Sequence, residues 1–165
     1  MNFIVTTNPG IEDLALKELH DILGDRILNY SYRPLSGRIY IEVSNASLNE
    51  LFEDFIKARM IHRFGVLLYR GKVGLSKNDL SLIKDKIRKL DPLRLVVNPS
   101  FTFAIRAERA GKGHEYTSLD VARIAGNAVI DYVVKEFGER IKVDLDYPNV
   151  IIHVDVINDD LYVYV

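Results

Sequence analysis

The sequence has 165 residues and a mass of 18.9 kDa, enough for one domain or two small ones with an independent core. Apolar residues make up 48% and charged residues 27%, which excludes collagen-like, low-complexity and natively disordered chains, and the absence of Cys excludes disulfides and Cys-ligated zinc. The formal net charge of −1, taken alone, gives no reason to expect a polyanionic partner.

The first half of the sequence alternates strand and helix patterns. Apolar residues recur at helical spacing after Asn8-Pro9-Gly10, and 34–37 is a hairpin signal between two β-rich runs. Ser47, followed three residues later by Glu50, is typical of a helix N-terminus. The predicted elements are strands at 3–7, 27–33, 38–43 and 61–70, and helices at 11–23 and 47–56. This β-α-β-β-α-β order predicts a ferredoxin-like domain.

The second half begins after a predicted hinge at 71–77. A basic helix at 78–90 is stopped by Asp91-Pro92, and a long helix follows a glycine-bearing loop, with Thr117 and Asp120 in the positions of a capping box. The predicted elements are helices at 78–90 and 117–137, strands at 101–108, 150–157 and 161–165, and a loop at 110–116. We therefore predict an α+β protein with two domains, 1–73 and 74–165.

Charge is unevenly distributed along the sequence. Residues 57–114, here called the basic band, carry 14 Lys and Arg against 4 Asp and Glu. The flanking segments are acidic, with 4 basic against 9 acidic residues in 1–56 and 4 against 10 in 115–165. This pattern favours a composite surface that faces a polyanion, with the acidic flanks as its solvated far sides.

The loop at 111–118 lies between a predicted strand and a predicted helix, where anion-binding loops occur because helix N–H groups are free. It completes neither a dinucleotide fingerprint nor a Walker loop. We therefore expect the helix start at Thr117 to contact a phosphate of RNA rather than a nucleotide cofactor. The alternative is a polar turn that only caps the helix.

Cationic side chains cluster around this loop, and Tyr116 offers a stacking surface for an unpaired base. The alternative is a solvated rim in which Glu108, Glu115 and Asp120 neutralise the cations. The cluster comprises Arg106, Arg109, Lys112, His114 and Arg123.

The sequence gives little indication of a metal site or a catalytic site. The four His residues lack metal-ligand spacing, so no metal site is predicted, and no catalytic motif is present. Gly126 stands inside a helical pattern, at a cost of about 1 kcal/mol relative to Ala, and close packing on the sheet or on RNA would explain it. The start of the sequence is no signal peptide and no apolar run spans a bilayer, so we expect a cytoplasmic protein without membrane contact.

Three segments of the second half resemble a THUMP domain, the RNA-binding module of 4-thiouridine synthetases, RNA methylases and some pseudouridine synthases. They are SFTFAIRAER at 100–109, GKGHEYTS at 111–118 and VDLDYPNV at 143–150. The first half is similar to the ferredoxin-like domain that precedes THUMP, through TNPGIE at 7–12 and ARMIHR at 58–63. Together they look most like the archaeal and bacterial tRNA guanine N2-methyltransferases.

The resemblance implies a module that grips the acceptor end of tRNA for a catalytic domain that this chain lacks. S-adenosylmethionine would bind in that missing domain, and this chain would hold no cofactor. The RNA contacts implied are Arg106, Arg109, Lys112, His114, Ser118 and Arg123, with Lys84, Lys86, Arg88 and Lys89 as weaker backbone contacts.

Three alternatives stay open from the sequence. The module could belong to a 4-thiouridine synthetase or another RNA-modifying enzyme, or it could chiefly orient a catalytic domain or form a dimer. A small self-contained enzyme has the least support, since no catalytic motif is present.

Overall fold

The computed structural model describes residues 1–44 and 47–165. The chain forms two compact units, Met1–Leu67 and Leu68–Val165. The mixed α and β architecture confirms the predicted fold class, whereas the predicted domain boundary after residue 73 stays a prediction. None of the helices within the described residues is both long enough and apolar enough to cross a membrane.

The first unit has the ferredoxin-like arrangement that the sequence predicts. Its elements are β1 (Asn2–Thr7), α1 (Glu12–Leu23), β2 (Ile27–Tyr32), β3 (Arg38–Val43), α2 (Leu48–Phe55) and β4 (Ile61–Lys72), of which β4 continues into the second unit. The strands lie in the order β2-β3-β1-β4, and each neighbouring pair is antiparallel. Every second residue of β1 and β3 belongs to the apolar core that these strands share with α1 and α2, namely Phe3, Val5, Ile39, Ile41 and Val43.

Aromatic side chains join helix α2 to the sheet in the core of the first unit. The Phe55 ring stacks on Phe64 at a centroid distance of 4.5 Å and lies 5.2 Å from Phe3. The Ser47 hydroxyl accepts a hydrogen bond from the Glu50 N–H, which confirms the predicted start of α2.

A buried carboxylate ties the first turn of α1 to the β2–β3 hairpin. Glu12 is only 3% exposed, and its oxygens accept hydrogen bonds from the Gly37 N–H at 2.7 Å and the Gly10 N–H at 3.0 Å. A Cβ at Gly37 would lie 2.7 Å from the Thr7 carbonyl oxygen, and Gly37 has a φ of +63°, so this position requires glycine.

The second unit packs two helices on a mixed sheet. Its elements are α3 (Leu80–Arg88), β5 (Thr102–Ala110), α4 (Ser118–Phe137), β6 (Lys142–Val143), β7 (Val150–Ile157) and β8 (Asp160–Tyr164). The strand order is β8-β7-β5-β6, with β5 parallel to both β6 and β7 and β7 antiparallel to β8. Strand β6 was not predicted, because two exposed residues carry no periodic signal.

The helices of the second unit begin and end at the residues that the sequence indicates, within a few positions. A 3₁₀ turn with a capping box at Ser76 precedes α3, so the regular helix starts two residues later than predicted. Helix α4 starts after the predicted capping box and ends at Phe137, followed by Gly138 as the capping residue with a φ of +76°. Its apolar face, including Val121, Ala125 and Val129, is fully buried in the core of the unit.

Candidate nucleic-acid interface

The loop between β5 and α4 is held by hydrogen bonds to two neighbouring segments. The Asn158 N–H donates to the Ala110 carbonyl at 2.8 Å, and the Glu115 N–H donates to the Leu75 carbonyl at 2.8 Å. Gly111 and Gly113 both have positive φ, and a Cβ at Gly111 would lie 2.5 Å from the Asn158 side chain. Backbone hydrogen bonds and one close glycine contact therefore tie the loop to residues 75 and 158.

His114 is part of this fixation. Its Nε2 lies 2.6 Å from the Asn158 carbonyl oxygen, which can only accept, so Nε2 carries the proton. Its Nδ1 is enclosed and has no hydrogen-bond partner among the described residues. His114 thus positions the loop, and its predicted contact with RNA stays a prediction.

Tyr116 does not offer the stacking surface that the sequence suggests. The side chain is 2% exposed, and its hydroxyl donates to the Gly74 carbonyl at 2.8 Å. Burial, with a further contribution from Asp79, raises the pKa of the Tyr116 hydroxyl. The predicted role in base stacking is wrong, because the ring is buried, and burial in the core of the unit stabilises the fold more than an exposed ring would.

The two arginines of β5 differ in accessibility. Arg106 is exposed, donates to the Leu145 carbonyl at 2.8 Å and makes no ion pair within the described residues. Arg109 is half-buried, donates to the Gly111 carbonyl at 3.4 Å, and has an enclosed Nε without a partner in the described part of the chain. Arg106 is therefore the more accessible contact for a phosphate.

The start of α4 already holds an anionic side chain. The Asp120 carboxylate accepts hydrogen bonds from the Thr117 N–H and hydroxyl, which hold the pKa of Asp120 below its usual value. The Asp120 N–H in turn donates to the Thr117 hydroxyl. This capping box occupies the place where a phosphate was expected, so the helix start is a weaker anion site than the sequence suggests.

Three further predicted contacts near α4 stay accessible. Arg123 lies one turn beyond Asp120, pairs with it at 3.3 Å and keeps 74% of its side chain exposed. Lys112 and Ser118 are also exposed, on the loop and in the first turn of α4. An exposed ion pair of this kind contributes little, so Arg123 can exchange Asp120 for a phosphate.

The basic residues of α3 are largely engaged within the unit. Lys84 and Arg88 both pair with Asp131 of α4, at 3.1 and 3.8 Å. Lys86 lies 5.8 Å from the centre of the Tyr69 ring, whereas Lys89 is exposed without an ion pair among the described residues. Lys84 and Arg88 therefore contribute to packing α3 on α4, and the contact of all four cations with RNA stays a prediction.

The basic band is therefore not one continuous free face. Acidic residues of the flanks pair with it: Lys57 with Asp54 at 2.7 Å, and Lys72 with both Asp159 and Asp160 at 3.0 and 2.8 Å. The idea that the acidic flanks form only solvated far sides is wrong at these positions. The distribution of charge along the sequence does not show which oppositely charged residues the fold places beside the basic band.

An apolar groove of about 450 Å³ runs between β5 and the exposed face of α4. No sequence signal indicated it, because its lining comes from three separate segments. Arg123 is one of its lining residues. The Arg106 side chain lies next to the groove, because it donates to the carbonyl of Leu145, another lining residue. The lining residues are Phe103, Ile105, Leu119, Asp120, Ala122, Arg123, Gly126, Asn127, Ile130, Val143 and Leu145.

Gly126 lies in this groove, and packing does not explain it. A Cβ at Gly126 would meet only Ile105, at an ordinary 3.7 Å. We expect Gly126→Ala to raise the free energy of unfolding by about 1 kcal/mol, because Ala is the better helix former and no clash opposes it. Urea unfolding followed by circular dichroism measures this. A loss of stability would show that the glycine is required for packing on the sheet.

Comparison with known proteins finds that the chain is similar to enzymes whose names state that they act on tRNA. The family described as THUMP domain matches residues 77–165. The chain is similar to the "tRNA (guanine(6)-N2)-methyltransferase" of Archaeoglobus fulgidus, with 37% identity over 163 residues, which cover 99% of this chain and 38% of that relative. It therefore spans well under half of that relative's length.

Two further matches extend the comparison. A relative from Sulfurisphaera tokodaii named "Probable tRNA sulfurtransferase" is 44% identical over 62 residues, which cover 38% of this chain and 15% of that relative. The crystal structure of TrmN from Thermus thermophilus superposes with a TM-score of 0.68 and 23% identity, covering 99% of this chain and 45% of that chain. At that identity the structural match shows a shared fold.

Proposed function

Because this chain belongs to the THUMP domain family, we propose that it is the RNA-binding part of a tRNA guanine N2-methyltransferase. The observation that carries the proposal is the 37% identity to such an enzyme over 99% of the chain. The THUMP match alone would fit several kinds of tRNA-modifying enzyme. The identity over nearly the whole chain favours the methyltransferase, because a probable tRNA sulfurtransferase of Finegoldia magna that matches 93% of the chain is only 25% identical.

The exposed cations beside the β5–α4 loop supply the binding chemistry. Arg106, Lys112 and Arg123 are all exposed, and none is held in a buried ion pair. Their charges neutralise phosphates of the acceptor end of tRNA and release counterions, which gives affinity without reading sequence. The module would thereby present a nucleotide of tRNA to a catalytic domain in the full cytoplasmic enzyme.

The methyl donor is assigned to another part of that enzyme. This sequence contains neither a Gly-rich donor loop nor an Asp/Asn-Pro-Pro-Tyr/Phe motif. The chain also spans only 38% of its methyltransferase relative. We therefore assign S-adenosylmethionine to the remaining part, and no residue of this chain to its binding.

Binding of tRNA by the chain should weaken steeply with salt. Three phosphate contacts predict roughly 30-fold weaker binding when salt rises from about 50 to about 200 mM, because each contact releases condensed counterions. Fluorescence anisotropy with labelled tRNA at several salt concentrations measures the slope. Affinity that does not change with salt would contradict the proposal.

The sulfurtransferase relative supports a second candidate, the RNA-binding part of a 4-thiouridine synthetase. Its 44% identity is higher but extends over only 62 residues. Mass spectrometry of nucleosides from tRNA treated with the full-length enzyme separates the two, since one forms N2-methylguanosine and the other 4-thiouridine. Light scattering with and without tRNA tests the remaining alternative, a module that self-associates without binding RNA.

A further inference from the structure

The apolar groove has a cationic rim, and the two features together specify the kind of ligand. Its floor and walls are aliphatic and aromatic carbon from Phe103, Ile105 and Ile130. Arg123 is exposed in its lining, where it pairs with Asp120 at 3.3 Å, and the exposed Arg106 donates to the carbonyl of Leu145, another lining residue. An apolar cavity with an anion-attracting rim fits a ligand that is flat and apolar at one end and negatively charged at the other.

Gly126 and Asn127 give the groove its shape and its one uncharged polar group. Gly126 leaves the floor open, since a Cβ there would meet only Ile105. Asn127 lies in the lining one turn after Arg123 and is exposed, with no hydrogen bond to another described residue. An Asn amide can both donate to and accept from the edge of a base.

A nucleotide meets these requirements better than an apolar protein segment does. An apolar protein segment would use the apolar lining, but it would offer no anionic group to the exposed guanidinium groups of Arg106 and Arg123 and no polar edge to the Asn127 amide. At about 450 Å³, the groove has the size typical of small-ligand sites. It also offers the apolar contact surface that buried Tyr116 cannot offer.

We propose that the groove binds one unpaired base of the RNA, with Gly126 making room for the ring and Asn127 contacting its edge. The adjoining phosphates then lie on Arg106 and Arg123. This inference rests on the proposed function. It adds contact with a base to a surface that is otherwise expected to contact only the phosphates of the RNA.

The test uses the chain with a short single-stranded RNA and with the same RNA carrying one abasic residue. Gly126→Leu fills the groove while favouring the helix. Val134→Leu is the matched control, since Val134 is an exposed residue of α4 outside the groove. Leu119→Gln is a second groove variant, and Leu119 is 76% exposed, so its replacement leaves the core untouched.

We expect Gly126→Leu to weaken binding of the intact RNA about 10-fold, the scale of one base contact, with an unchanged salt slope. Leu119→Gln should weaken it by a smaller factor, and Val134→Leu should have no effect. The abasic RNA should bind the original chain as weakly as the intact RNA binds Gly126→Leu, and should not respond to Gly126→Leu, because both changes remove the same contact. Asn127→Ala should reduce the difference in affinity between RNAs that differ only at that base.

Two outcomes would overturn the inference, and they are distinguishable. If Gly126→Leu and Leu119→Gln bind intact RNA as tightly as the original chain, or weaken intact and abasic RNA equally, no base lies in the groove. Salt-dependent binding by the original chain would then still support the proposed function. If the original chain binds neither RNA at any salt concentration, the proposed function itself fails.

Discussion

The double substitution Arg106→Glu and Arg123→Glu should weaken binding of tRNA by about 100-fold or more, since each reversal replaces a phosphate contact by repulsion. Both side chains are exposed, so the substitutions place no charge in the core. The segment that Arg106 contacts keeps other ties, including the Asp144 N–H bond to the Phe103 carbonyl at 3.0 Å. Anisotropy titrations measure the affinity, and circular dichroism checks the fold.

A charge-matched control separates a local site from a general electrostatic effect. Lys17→Glu with Arg59→Glu changes the net charge by the same amount at two exposed residues of the ferredoxin-like unit. We expect a loss of only a few-fold for this variant, because screening limits charges that do not touch the RNA. Equal losses for the two double variants would show that net charge, rather than the surface beside the groove, determines binding.

Replacing Glu12 by Ala should lower the free energy of unfolding by about 2 kcal/mol, because one buried and one partly buried backbone N–H group lose a charged acceptor. These are the N–H groups of Gly37 and Gly10, at 2.7 and 3.0 Å from the carboxylate. Urea unfolding at neutral pH measures the loss. Affinity for RNA, measured well below the unfolding midpoint, should not change. A variant as stable as the original chain would show that these hydrogen bonds contribute little.

The pH dependence of stability gives a second measure of Glu12. Burial raises its pKa, but the N–H donors, led by Gly37, outweigh burial, so the pKa in the folded state lies below its usual value. The carboxylate therefore stabilises the fold fully above its unfolded pKa of about 4.3, and this contribution is lost as pH falls through the lower folded pKa. The original chain should accordingly lose more stability between about pH 5 and pH 3 than Glu12→Ala does.

The segment at 7–12, through which the first half resembles the domain that precedes THUMP, thus has a structural role. Within 7–12, the Thr7 N–H donates to the Gly37 carbonyl at 3.0 Å and the Glu12 carboxylate accepts from Gly10 and Gly37. These bonds join the end of β1 and the start of α1 to the β2–β3 hairpin. The sequence placed the turn correctly but gave no sign that an acidic residue in a first helical turn would be buried.

The sequence by itself determined the order of the helices and strands except β6, the ferredoxin-like unit and the limits of α4. Hydrophobic periodicity and capping residues act within a few positions of chain, so they can be read locally. It also placed Arg106 and Arg123 next to a strand–loop–helix junction, because that position is local as well, and their contact with RNA stays a prediction.

Only the tertiary structure decided which of these side chains are available. Tyr116 became a core residue, Lys84 and Arg88 gained Asp131 as a partner, and Gly126 became part of a groove. Each outcome depends on residues far away in sequence that packing brings together. Burial and charge pairing depend on the neighbours that a side chain meets in space, and no local pattern of residues specifies those neighbours.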